Sequence, residues 1–271
     1  MDIATVKGKA VYFNDNGCNV EDWLKQGLLY GEPNYKVLQS LVIEEGWMVD
    51  AGAHIGTFSF TPAFANIPII TIEGCHNNVL CLRETFNGTS SEVHEAILAD
   101  KVKKCRFSRD TGPFGWLIDD PDGDCTTNTI DNIVSGRHVN ALKLDIEGGE
   151  IDALDGAKET LTASKPPILM EVNGYCLMQH DHRSEDLLKK VSEFGYVIFA
   201  QLHDQIFRVD PNKLFPFCNI DVICIHEDNL NKYSFANSRS LEQFELEDIA
   251  YQVCKQSNDD CKSYFKKIGI E

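Results

Sequence analysis

The residues best suited to chemistry begin at Asp50. The segment VDAGAHIGTFSF (49–60) is an apolar run ending in an acid, followed by Gly52 and Gly56 and then by a helical pattern. Without side chains, two such glycines let the backbone turn tightly and approach a ligand, and the amides of the following helix face an acceptor. The spacing is not the GxGxxG of dinucleotide sites, and a carboxylate at Asp50 repels a pyrophosphate but pairs with an amino group. A plain strand-to-helix turn fits the same pattern. About twenty residues on, a second apolar run ends in Glu73, where a carboxylate can accept the protons of both ribose hydroxyls. A solvated strand-end acid is the alternative there.

A second group is Asp145, Glu147 and Glu150, within LKLDIEGGEIDALDGA (142–157). Asp145 ends an apolar run and is the stronger site candidate; Glu147 and Glu150 also read as helix-start acids favoured by the macrodipole. Glu171 and Asn173 end the run ILMEVNG (168–174). Beside Asp145 they could offer three oxygen ligands to a hard divalent cation that orients an acceptor hydroxyl. Adjacent strand ends meet such spacing by chance, so the expected site is metal-free. His180 and His182, in QHDHR (179–183), can serve as general bases near neutral pH or form an exposed polar loop.

These groups need strands to present them. Apolar runs at 46–52, 67–74, 140–148 and 166–174 read as buried parallel strands, and helical patterns fill 32–45, 77–88 and 149–163. Such alternation predicts an α/β, Rossmann-like sheet, mostly parallel, with helices on both faces and a ligand at the carboxyl ends of the strands. After residue 195, three strand-like runs separated by turns predict an antiparallel closing strand. The expected organisation is a single domain over 1–271, with a core at 46–226, an N-terminal cap at 1–45 and a helical C-terminal extension at 227–271.

Taken in order, VDAGAHIGTFSF, TIEG (71–74), HEAILAD (94–100), TIDNI (129–133), LKLDIEGGEIDALDGA and ILMEVNG resemble the FkbM family of S-adenosylmethionine-dependent methyltransferases, over roughly residues 30–226. The resemblance implies a class I methyltransferase fold and methylation of an oxygen on a sugar, a polyketide or a related small molecule. It places Asp50, Gly52, His54 and Gly56 in the cofactor loop, Glu73 at the ribose, Ala96 and Ile97 beside the adenine, and Asp145 at the methionine part. His54 stands where the family usually has asparagine, Glu95 where asparagine often precedes the alanine, and Gly74 where proline follows the ribose acid. A catalytically silent binding module and an NAD-dependent oxidoreductase are the competing readings of such a fold.

Composition narrows the partners. The 271 residues carry a formal charge of -17, which disfavours a phosphate backbone or an acidic membrane surface. Ten scattered cysteines without zinc-ribbon spacing read as reduced, mostly buried thiols. The opening sequence has no signal-like apolar segment, so a cytoplasmic location and a small-molecule or glycan acceptor are expected. The acceptor pocket should draw on the first thirty residues, 100–127 and the loop after Asn173, where Phe114, Trp116 and Tyr175 could stack on a sugar or simply pack.

Overall fold

A computed structural model describes residues 1–271 except 16, 108–116, 203–204, 218, 255–265, 267–268 and 270–271. The chain opens with an antiparallel hairpin of β1 (Asp2–Val6) and β2 (Lys9–Phe13), then α1 (Asn19–Lys25) and α2 (Glu32–Leu41). Strict alternation follows: β3 (Trp47–Ala51), α3 (Phe60–Phe64), β4 (Ile69–Glu73), α4 (His76–Thr85) and β5 (Ser91–Glu95). Four short strands come next, β6 (Ile97–Leu98), β7 (Lys104–Phe107), β8 (Leu117–Asp119) and β9 (Cys125–Asn128), in the order β6-β9-β7-β8. The alternation resumes with α5 (Ile130–Val134), β10 (Val139–Leu144), α6 (Glu150–Asp155), α7 (Lys158–Ser164), β11 (Ile168–Asn173), α8 (Gly174–Gln179) and α9 (Ser184–Glu193). The chain continues through β12 (Tyr196–Leu202), β13 (Gln205–Val209), β14 (Asn219–His226) and α10 (Gln243–Cys254).

The central sheet has the order β13-β12-β14-β11-β10-β3-β4-β5. From β11 to β5 every pairing is parallel. Strands β4 (IITIE) and β10 (VNALKL) are buried along their whole length, as strands covered on both faces must be. β14 runs antiparallel to both β11 and β12 and is inserted between them, and the β12-β13 hairpin forms the edge, so the antiparallel closure expected after residue 195 is present. The topological switch point of this sheet lies between β3 and β10, whose carboxyl ends carry Asp50 and Asp145.

Successive strand residues feed opposite layers of the core. Val49, Ile70, Leu142 and Met170 pack with the α5–α7 and α9 side. Met48, Ile69, Ala141 and Leu169 pack with Val6, Val11, Leu24 and Leu38, which lays the N-terminal segment over the other face.

Two sequence expectations differ in detail. The helix expected at 149–163 is two helices broken at Gly156, where a Cβ would lie 2.2 Å from the Ala99 carbonyl oxygen, so close backbone approach overrides helical continuity. The strand expected at 140–148 stops at Leu144, because Glu147 and Gly148 adopt positive φ (56° and 101°) in a turn. Among the described residues, no helix is long and apolar enough to cross a membrane.

Candidate active site

Backbone hydrogen bonds lace the switch point together. The Gly52 and Ala53 amides donate to the Ile72 carbonyl at 3.0 and 2.9 Å, the Asp145 amide to Ala51 at 3.1 Å, and the Ala96 amide to Glu73 at 2.9 Å. Gly52 has φ 82°, and a Cβ there would sit 1.7 Å from the Asp145 carbonyl oxygen. Only glycine lets the two strand ends come this close. They open onto a cavity of about 190 Å³ lined by Gly52, His54, Glu73, Ala96, Asp145 and His180 among others. Gly74, Ile97 and Glu147, also singled out in the sequence, line it as well.

Glu73 is held from two sides. Its Oε2 accepts the His54 amide at 2.8 Å, and its Oε1 accepts the Cys75 amide at 2.8 Å and a long bond from Asn78 Nδ2 at 3.5 Å. Burial still dominates these donors and pushes its carboxyl up to about 7. His54 holds φ 51°, a left-handed conformation uncommon for a side-chain-bearing residue, and burial lowers its pKa.

Three residues expected at the site lie elsewhere. Asp50 is fully buried and does not line the cavity. It accepts the Ser59 hydroxyl at 2.7 Å and faces Lys143 Nζ at 3.4 Å, so it supports the loop from behind. Gly56 is a packing glycine, since a Cβ would meet the Phe86 ring at 2.7 Å. His182 follows α8, with its amide on the Leu177 carbonyl at 3.0 Å, and is not among the lining residues.

Lys143, which the sequence reading passed over, is central. Its Nζ lies 3.1 Å from Asp145, 3.4 Å from Asp50 and 3.1 Å from the Gly52 carbonyl oxygen. Burial pulls its ammonium down, but the Asp145 and Asp50 carboxylates outweigh burial and hold it above the ordinary lysine range. A lone lysine inside the apolar run NALKLD was the available signal. Such a cation is tolerated in a core only when paired.

Beyond Asp145 the cavity turns acidic. Ligand oxygens of Asp145, Glu147 and Glu171 lie within 4.8 Å of one another. Burial and the charge of Asp145 raise both glutamates, and Glu171 Oε2 is buried without a hydrogen-bond partner among the described residues. Glu147 Oε2 accepts Asn173 Nδ2 at 3.3 Å and Cys176 Sγ at 3.1 Å. Glu150 turns inward beneath the loop, and its Oε1 accepts the Ile146 and Gly148 amides at 3.0 and 3.2 Å. Burial raises its carboxyl to about 7.

Tyr30 and Asn34 line the same cavity from the N-terminal segment, and Asn34 Nδ2 bonds Asp221 at 2.9 Å. Tyr30 falls within the first thirty residues, which were expected to contribute to the acceptor pocket, but nothing in the sequence pattern singled out Tyr30, Asn34 or Asp221 individually. His180 lines the cavity, and burial lowers its pKa. Tyr175 packs against the hydrophobic core, whereas Phe114 and Trp116 lie outside the described residues.

The solved methyltransferase FkbM of Methylobacillus flagellatus KT is 21% identical, with a TM-score of 0.46 over 71% of this chain and 48% of that one, so the match spans about half of that protein's length. Magnesium protoporphyrin IX methyltransferase from Synechocystis PCC 6803, solved with bound SAM, is 11% identical, with a TM-score of 0.41 over 79% of this chain and 87% of that one. These likenesses bear on neither substrate nor mechanism. No curated protein matches the sequence. The family model described as the methyltransferase FkbM domain matches residues 124–198, the stretch that supplies Lys143, Asp145, Glu147, Glu150, Glu171 and His180. Through that stretch, the chain is similar to the methyltransferase FkbM domain.

Proposed function

We propose that the chain is an S-adenosylmethionine-dependent methyltransferase acting on a hydroxyl of a sugar, polyketide or other small molecule. The observation that carries this reading is the convergence of Gly52, His54, Glu73, Ala96 and Asp145 on one cavity. The residues suit the cofactor: the glycine turn admits close backbone approach, and the buried Glu73 carboxylate is an acceptor for a vicinal diol. Ala96 offers a small apolar wall for a purine, and Asp145 an anion for the methionine ammonium. When bound, the cofactor supplies an electrophilic methyl group.

The chain's own residues must align the acceptor and take its proton. Glu147 is the group we assign to the proton. It lines the cavity, and both of its hydrogen bonds use Oε2, leaving Oε1 for an acceptor. Its proton affinity is raised by burial and by Asp145. His180, on the same cavity, is the second base within reach of that space. We place the acceptor against Tyr30, Asn34 and this acidic wall, and we expect neither nucleic acid nor a membrane surface as partner, given the net charge of -17.

Calorimetric titration with S-adenosylmethionine and its demethylated product tests the reading. Saturable binding of both, without binding of a nicotinamide dinucleotide, is the expected result. Folded protein that binds neither would overturn it.

A further inference from the structure

We propose that Cys18, Glu21 and His54 form a binding site for a borderline divalent transition-metal ion of the zinc type, which ties the N-terminal segment to the glycine loop. The thiol sulfur, a carboxylate oxygen and a ring nitrogen of these residues all lie within 4.8 Å of one another. They come from two separate parts of the chain: Cys18 and Glu21 at the start of α1, and His54 from the loop after β3. The first two are already fixed, because Glu21 accepts the Cys18 amide at 2.9 Å.

His54 supplies an independent sign of a ligand. Among the described residues its Nε2 is buried with no hydrogen-bond partner, although an imidazole nitrogen removed from water normally finds one. The ring is delivered to this spot by a left-handed backbone at φ 51°, where asparagine is the easier residue.

The donor set selects the metal. One sulfur, one nitrogen and one oxygen suit zinc-like ions and not magnesium or calcium, which prefer all-oxygen shells such as the carboxylates of Asp145, Glu147 and Glu171. Three protein ligands leave a fourth coordination position for water. On binding, the Cys18 thiol gives its proton to solvent and the thiolate bonds the metal, with no change of oxidation state. Because the His54 amide also holds Glu73, an ion here would fix the loop that carries the Glu73 contact. The metal proposal itself does not depend on the methyltransferase reading.

Full-length protein stripped with a chelator and titrated with Co²⁺ tests it. The expected result is a thiolate-to-cobalt charge-transfer band that saturates at about one equivalent and is displaced by Zn²⁺. Cys18→Ser should abolish the band, and His54→Asn should weaken binding at least tenfold while circular dichroism of the metal-free protein stays unchanged. If His54→Asn does not fold, Glu21→Gln takes its place with the same expected loss. Absence of the band in folded wild-type protein, or its persistence in Cys18→Ser, would overturn the proposal. Calorimetry with the demethylated cofactor on the same samples reads the methyltransferase assignment separately, so either can fail alone.

Discussion

The backbone amide of His54 donates to Oε2 of Glu73 at 2.8 Å. This bond joins the turn after β3 to the end of β4, across the parallel pair Asp50–Thr71 and Ala51–Ile72. It fixes the Glu73 carboxylate at the cavity and points the glycine loop at the same space. Its geometry leads to several expectations.

Gly52→Ala places a methyl 1.7 Å from the Asp145 carbonyl oxygen in a backbone region that costs about 1–3 kcal/mol for a non-glycine residue. The two strand ends must separate. Calorimetry should show cofactor binding lost, and the thermal midpoint should fall; unchanged binding would mean that the loop does not form the site.

Glu73 links affinity to pH. With its carboxyl near 7, the ionised fraction and hence the affinity for a ribose diol should rise about tenfold from pH 6 to 8. Glu73→Gln should flatten this dependence and weaken binding roughly ten- to a hundredfold, the scale of hydrogen bonds to a charged group.

Stability should move the other way. Glu73 and Glu150 both hold their protons more tightly when folded, near 7 against 4.5 for an unperturbed glutamate. Their contribution is therefore full below about pH 4.5 and is lost as pH rises through about 7. Urea unfolding of the ligand-free protein at pH 5 and pH 8 should show this loss, and the Glu73→Gln, Glu150→Gln double variant should lose less stability over the same interval.

Lys143→Ala strands the buried Asp50 and the Asp145 carboxylate without their shared cation. Removing one partner of a buried ion pair costs about 3–5 kcal/mol. A denaturation midpoint within error of wild type would contradict the bridging role.

Glu147→Gln tests proton removal. Its loss should lower kcat by about a hundredfold or more and leave cofactor affinity little changed. His180→Gln should have the smaller effect on kcat; the reverse ranking would transfer the role to His180.

Much of the framework was legible in the sequence because parallel strands buried on both faces must be apolar, and because the glycines and acids at their ends stand out against that background. Gly52, Glu73 and Asp145 were picked out this way, whereas Ala96 came only from the family resemblance. Asp50 was expected to face a ligand, but strand pattern gives position along an edge and not the direction of a side chain. In the fold that side chain turns back to Ser59 and Lys143. Tyr30 and Asn34 were not marked individually because they reach the cavity through contacts between segments far apart in sequence, such as the bond of Asn34 to Asp221, 187 residues away. The insertion of β14 between β11 and β12 was hidden for the same reason, since strand content does not specify pairing order.

The most direct measurement is a crystal structure of the full chain with the demethylated cofactor product bound. The account requires both ribose hydroxyls on the Glu73 carboxylate, the purine beside Ala96 and the amino-acid end toward Asp145. A product bound elsewhere, or one that leaves Glu73 untouched within this cavity, would contradict it.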